Sequence, residues 1–264
     1  MNARRVALVA LLLLPAVAQA QNLRVGFSTV DITPDLKKPV YLACFGKNRV
    51  ATKVHDPIMA RAVILAHGEQ KIAIVSVDLI GLFHDSVERV RSRIKNITYL
   101  LVNSTHNHEG PDTMGLWGPN LFTSGIDADY QKKMEAALVA AIRAADKNRQ
   151  PVSAKIGSAR GPELLHDGRE PYVKHDELVA LQFLDAQNKP AGIVVQWHCH
   201  PETLSSKNTE VSADFVGYTV AHLKKKHGCP VVPVRHRHRR LFGGGFHCFT
   251  LDTVREGGPE DYLD

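Results

Sequence analysis

The chain has 264 residues, of which 44% are hydrophobic and 23% are charged, with a formal net charge of +6. This balance is typical of a globular protein and excludes wholesale disorder, a collagen-like repeat and a coiled coil. Two of the positive charges are Arg4 and Arg5 near the N-terminus, so the charge does not favour a nucleic-acid-binding protein.

Residues 1–20 predict a secretory signal peptide. Basic residues at the start are followed by an apolar run over residues 6–14 and by Ala18-Gln19-Ala20, a cleavage pattern of small residues. A membrane anchor is the alternative, but the run is shorter than the roughly 18–20 residues that a spanning helix needs. We therefore expect an exported protein, secreted or periplasmic. Disulfides are permitted there, although four cysteines are too few for a disulfide scaffold.

Predicted strands and helices alternate along the rest of the chain. Apolar runs and alternating patterns predict strands over residues 23–30, 60–67, 71–79, 99–102, 152–158, 177–184 and 191–197. Apolar residues at helical spacing predict helices over residues 85–95, 127–148 and 213–227. No repeat and no Gly/Ser-rich or Pro-rich linker interrupts this order. We predict a single α/β domain with a mixed β-sheet core flanked by helices.

Two histidine clusters directly follow predicted apolar strands. The first lies in residues 105–112 (THNHEGPD) and the second in residues 197–202 (WHCHPE). Alternate residues of an extended chain point to the same side, so each His-x-His pair can present two imidazoles to one cavity. Imidazole binds zinc, and hydrolytic zinc sites keep three protein ligands and an open position. The pattern indicates a metal site; the alternative is a set of partly buried, hydrogen-bonded histidines.

Further short motifs accompany these clusters in a fixed order. They are residues 30–34 (VDITP), 55–57 (HDP), 60–62 (ARA), 75–78 (VSVD), 105–111 (THNHEGP), 197–201 (WHCHP) and 212–218 (SADFVGY). The ordered set resembles the N-terminal catalytic domain of the neutral (alkaline, non-lysosomal) ceramidase family. The resemblance covers about residues 24–232, and we take residues 21–232 as a partial domain of this type.

The resemblance implies a zinc-dependent hydrolase that cleaves the amide of ceramide into a fatty acid and sphingosine. It makes His106 and His200 ligands of Zn²⁺. It makes His108 a proton carrier or hydrogen-bond donor beside the substrate. Arg169 matches an Asn-Arg-Ser-Pro tract of the family and would be a polar clamp on the substrate. Gly168 replaces the asparagine there, and a surface-loop residue is the alternative reading of Arg169.

Other polar residues near these motifs receive weaker roles. His198 and Glu109 have no counterpart in the family pattern and are at most supports for the ligands. His55 is expected to be structural. The implied partner is a ceramide-like lipid amide, with contact to a membrane surface or micelle as a further expectation and no nucleic acid.

Residues 233–264 depart from the family pattern. They begin with an Arg/His tract over residues 235–240 and show no helix or strand period, so we expect them to pack poorly. The tract can bind metals or acidic surfaces, or it can be a solvated segment. We favour a third interpretation, a shifted reading frame. Under one choice of His and Arg codons, reading one base later gives Gly-Thr-Val-Thr-Gly-Gly, a glycine-rich turn of the kind that the family has here.

The family's remaining zinc ligands, a glutamate and a tyrosine, have no match in this chain. Glu256, Glu260 and Tyr262 are of the right type but lie in the unpatterned segment. We therefore expect an impaired ceramidase-like hydrolase. The alternatives are a zinc hydrolase of another amide or ester and a non-catalytic binding remnant, because substrate pockets diverge on a shared fold.

Overall fold

The computed structural model describes residues 23–166 and 176–235. The predicted signal peptide, Arg169 and most of the unpatterned C-terminal segment lie outside the described residues. Along the chain the elements are β1 (Leu23–Asp31), β2 (Lys53–Val54), β3 (Met59–His67), β4 (Gln70–Val77), α1 (His84–Arg91), β5 (Tyr99–Ser104), α2 (Ala128–Lys147), β6 (Gln150–Pro151), β7 (Ser153–Arg160), a 3₁₀ turn (Pro162–Leu164), β8 (Glu177–Leu184), β9 (Pro190–Gln196), β10 (Glu210–Val211), α3 (Asp214–His227) and β11 (Val231–Val234).

The larger sheet has the strand order β5-β4-β3-β1-β6. β3 pairs antiparallel with β1 and β4, whereas β5 is parallel to β4. α1 lies in the connection between β4 and β5, since two parallel neighbours need a crossover. The central strand β3 is buried on both sides because both faces of the sheet are covered, and the one charge buried within it is Arg61, which pairs with Asp78.

α2 covers one face of this sheet. Asp127 caps the N-terminus of this helix. Its side chain accepts hydrogen bonds from the backbone N–H groups of Asp129 and Tyr130. The buried stripe of the helix contains Met134, Leu138, Ala141, Ile142 and Ala145, which pack with β3 and β4 in the main core. The apolar spacing that predicted this helix is therefore the spacing that buries it.

A second sheet, β11-β9-β8-β7, packs against the opposite face. Val25 and Phe27 of β1 contact this sheet, and the Phe27 and Phe183 rings lie 5.9 Å apart between centroids. Gly26, between them in sequence, points the other way, where a Cβ would lie 1.9 Å from the Ala145 carbonyl oxygen of α2. Successive residues of β1 therefore face opposite sides of the sheet: Val25 and Phe27 face the second sheet, and Gly26 faces α2.

The predicted α/β class with a mixed sheet core is confirmed, and each predicted strand and helix has a counterpart in the structure. The pairs β2–β10, β1–β6 and β9–β11 were not predicted. β11 continues through Pro233 and Val234, which pair with Val195 and Gln196 of β9. The expectation of no regular structure from residue 233 onward is therefore wrong for these two residues, because a neighbouring strand supplies their partners. No helix among the described residues has the length and apolarity needed to cross a bilayer.

Candidate metal centre

The two predicted histidine segments meet in the folded chain. One follows β5 and the other follows β9, which belong to different sheets. His106, His108 and His200 each offer a ligand atom, and these three atoms lie within 4.8 Å of one another. The ring centroids are 4.6–5.0 Å apart. We call these three residues the histidine cluster.

The backbone at His106 differs from the extended chain assumed from the sequence. His106 has φ of 66°, in the left-handed region that residues with a side chain rarely adopt. Backbone N–H groups on either side, those of Thr105 and Asn107, donate to the carbonyls of Val77 and Leu79. These two hydrogen bonds fix a turn in the backbone at His106. This turn, and not the pleat of a strand, therefore brings the rings of His106 and His108 together.

Burial favours the neutral form of His108, and a backbone contact orients His106. His106 Nδ1 lies 2.8 Å from the carbonyl oxygen of Ile80, so Nε2 is the ring nitrogen that could coordinate a metal. Burial, followed by the proximity of His200, lowers the pKa of His108 to about 4. Both ring nitrogens of His108 are buried without a hydrogen-bond partner. Neutral imidazole nitrogens in a small group are the donors that a zinc ion requires.

A carboxylate that the sequence analysis did not select borders the cluster. Glu202 Oε2 lies 2.8 Å from His200 Nδ1, and Glu202 Oε1 lies 3.8 Å from His108 Nδ1. Its position two residues after His200 was the available signal. Glu202 is not itself in the group of donor atoms that surround one point.

Glu109 and Arg49 form a buried support beside the cluster. Arg49 Nη1 donates to Glu109 Oε2 at 2.6 Å and to the Asn208 carbonyl at 2.9 Å, and Arg49 Nη2 donates to the His108 carbonyl. Asn208 Nδ2 also donates to Glu109 at 2.7 Å. Burial raises the pKa of Glu109, against the opposing hydrogen bonds from Arg49 and Asn208. Glu109 was a candidate support; Arg49 was not selected, because no motif near it signals this contact.

Arg235, the first residue of the Arg/His tract, also reaches the histidine segment. Its backbone N–H donates to Asn103 Oδ1 at 3.0 Å, and its guanidinium donates to the Thr105 carbonyl at 3.3 Å. The start of the unpatterned segment is thus attached to the end of β5.

The remaining sequence candidates lie elsewhere. His198 is half-buried and outside the donor group. His55 contacts the Tyr218 hydroxyl at 2.9 Å and Glu210 at 3.6 Å, beside a groove of about 410 Å³. This contact joins two of the motifs, residues 55–57 and 212–218. Arg169 lies outside the described residues, and its role stays a prediction.

The fold and the cluster together define an α/β protein with a three-histidine candidate metal centre. No family model matches the sequence. Neutral ceramidase from Pseudomonas aeruginosa is 23% identical over 236 residues, covering 79% of this chain and 34% of that protein. Inosamine-phosphate amidinotransferase 1 from Streptomyces glaucescens is 53% identical over 38 residues, 14% of this chain and 11% of that protein.

Two solved structures share the fold. The structure described as ceramidase complexed with C2 has a TM-score of 0.68 at 18% identity and covers 82% of this chain. The neutral ceramidase from Pseudomonas aeruginosa has a TM-score of 0.68 at 19% identity and covers 86% of this chain. The resemblance to neutral ceramidase, predicted from the ordered motifs, is confirmed. This chain spans 34–41% of the length of these ceramidases.

Proposed function

We propose that this chain carries part of a zinc-dependent amide hydrolase of the neutral ceramidase type. Its substrate would be a ceramide-like lipid amide, cleaved at the N-acyl bond to a fatty acid and sphingosine. The convergence of His106, His108 and His200 from two distant segments carries the proposal. The sequence similarity to a neutral ceramidase over 79% of the chain supports the choice of substrate class.

The cluster fits a zinc ion. Three imidazole donors within 4.8 Å of one another match the nitrogen ligands that zinc prefers. Two buried ring nitrogens of His108 have no hydrogen-bond partner, which is costly unless another group satisfies them. When bound, zinc would act as a Lewis acid toward the amide carbonyl and the attacking water.

The histidines have two different roles in this proposal: two would hold the metal, and one would transfer a proton. His106 and His200 would hold the metal. His108, kept neutral by burial, would accept a proton from the attacking water and return it to the amine nitrogen as the C–N bond breaks. The step balances because the O–H of the water becomes the hydroxyl of the acid, while the other proton of the water passes through His108 to the amine nitrogen.

A second assignment makes His108 a third ligand. Its ring belongs to the same donor group as the other two, and catalytic zinc sites commonly have three protein ligands. The variant His108→Ala separates the two assignments. A proton carrier leaves zinc content unchanged and lowers the rate by about 10²–10⁴-fold, whereas a ligand lowers zinc content as well.

We expect weak ceramidase activity from this chain. The glutamate and tyrosine of the family's zinc site have no matched residue here, and a loosely held metal positions substrate poorly. Export from the cell and contact with a lipid surface belong to the same proposal, on the basis of the N-terminal sequence and the substrate class. The substrate-clamp role of Arg169 is also part of it.

The test uses the full chain, with zinc content and hydrolysis of a fluorescent ceramide measured together. His106→Ala and His200→Ala should lose zinc, and His84→Ala, whose side chain is 80% exposed outside the cluster, is the matched control. Zinc with activity only on other amides or esters would select that alternative hydrolase. A zinc-free, inactive chain would select the binding remnant. Turnover equal to that of a full-length ceramidase would contradict the expected impairment.

A further inference from the structure

Glu202 is placed against the histidine cluster by a local turn. Its backbone N–H donates to the carbonyl of His200 at 2.9 Å, which closes a three-residue turn around Pro201. The fixed φ of proline suits the centre of such a turn. The sequence His-Pro-Glu thereby folds the carboxylate of Glu202 back onto the ring that precedes it.

The chain after Glu202 is anchored as well. The Thr203 backbone N–H and hydroxyl donate to the carboxylate of Asp214 at 3.1 and 2.6 Å. Asp214 is buried at the start of α3. Glu202 therefore lies between a closed turn and an anchored residue, although its own side chain is 44% exposed.

From this arrangement we propose that Glu202 is a positioning residue for the histidine cluster. Its Oε2 lies 2.8 Å from His200 Nδ1, at an angle outside that of a hydrogen bond. The contact is electrostatic, and the negative charge of the carboxylate favours the neutral tautomer with the proton on Nδ1. Nε2 of His200 is then the nitrogen that coordinates the metal. Oε1, 3.8 Å from His108 Nδ1, acts in the same direction on the second ring with less effect.

The physical basis is general. A carboxylate behind a metal-binding histidine selects its tautomer, holds its ring and raises its basicity, and losing such a partner typically weakens metal binding about 10–100-fold. The inference rests on the proposed metal-binding function, but it assigns a residue that the motif comparison left without a role. It also gives this chain an acidic group at the site, upstream of the unpatterned segment.

The experiment compares the wild-type chain with Glu202→Gln and Glu202→Ala. Glu88→Gln is the matched control, because the Glu88 side chain is 43% exposed and also contacts a histidine, His84, outside the cluster. Zinc affinity is measured by competition with a chromophoric chelator. The tautomer of His200 is read in the metal-free protein by ¹⁵N NMR, and urea unfolding checks that each variant is folded.

We expect both Glu202 variants to bind zinc about 10–100-fold more weakly than wild type, with unchanged unfolding and a His200 tautomer shifted toward Nε2–H. The control should match wild type in all three measurements. Unchanged affinity, or reduced affinity with an unchanged tautomer, would overturn the assignment. A lower coordination number in the cobalt spectrum of Glu202→Gln would overturn it too, by making Glu202 a direct ligand.

The two proposals fail in different ways. If the wild-type chain binds no zinc, the proposed function is wrong. The tautomer of His200 in the metal-free chain still tests Glu202, since that readout needs no metal.

Discussion

Arg49 Nη1 lies 2.6 Å from Glu109 Oε2, and both side chains are almost completely excluded from water. The same guanidinium donates to the carbonyls of Ala43, His108 and Asn208. One side chain therefore ties three separate segments together immediately beside the histidine cluster. Because buried charges are tolerated only with partners, this pair fixes where the segment that carries His108 can lie.

Breaking this ion pair should destabilise the fold strongly. Arg49→Met leaves the Glu109 carboxylate buried and uncompensated, and we expect a loss of about 3–5 kcal/mol in the free energy of unfolding, measured in urea. The double variant Arg49→Met/Glu109→Gln should recover part of that loss, since no buried charge is then unpaired. Lys38→Met, in an exposed pair with Asp129, is the control and should leave stability nearly unchanged, because solvent screens that pair. Equal effects for Arg49→Met and Lys38→Met would contradict the buried-pair argument.

Gly192 should tolerate no side chain. A Cβ there would lie 2.1 Å from the Phe27 ring, at the contact between the two sheets. Gly192→Ala should cost at least about 1–3 kcal/mol through overpacking, seen as a lower melting temperature and a lower urea midpoint. Gly157→Ala, in strand β7 of the same sheet and with nothing within 4 Å of the new Cβ, should be neutral or stabilising. A neutral Gly192→Ala variant would mean that the sheets lie farther apart than described.

The cap of α2 offers a local prediction. Asp127 Oδ1 accepts hydrogen bonds from the backbone N–H groups of Asp129 and Tyr130 at 2.8 and 3.1 Å. Asp127→Ala should lower the free energy of unfolding by about 0.5–2 kcal/mol. Asp127→Asn keeps an acceptor oxygen at the same position and should retain most of the stability. If both variants lose the same amount, the side-chain cap is not the cause.

Zinc should stabilise the folded chain through the histidine cluster. At a free zinc concentration of 100 times the dissociation constant, we expect a gain of about 2.7 kcal/mol in the free energy of unfolding. A chelator should remove this gain, and His200→Ala should not show it. His84→Ala should keep it, because that side chain is exposed and outside the cluster. A zinc effect of the same size in His200→Ala would place the binding site elsewhere.

Local patterns in the sequence were sufficient for the helices and for the longer strands. α2 was predicted over residues 127–148 and forms over Ala128–Lys147, because its apolar spacing and its Asp127 cap act within a few residues of one another. β8 was predicted over the residues that form it, Glu177–Leu184. The strands β2 and β10 have two residues each and show no periodicity. They exist because distant segments pair with each other, which no local pattern records.

The candidate site divides in the same way. The strand-end pattern selected four histidines, because strand ends open into loops where sites form: His106, His108, His198 and His200. The resemblance to the ceramidase family then singled out His106, His108 and His200. The donor group leaves out His198, which the resemblance had already given no ligand role. Only the tertiary structure decided that Arg49 reaches Glu109, 60 residues away. It also placed Glu202 against two rings from different segments. Residue type and periodicity are local properties that can be read from the sequence. Which distant side chains come into contact is decided by the packing of the two sheets and by the need of each buried charge for a partner of opposite sign.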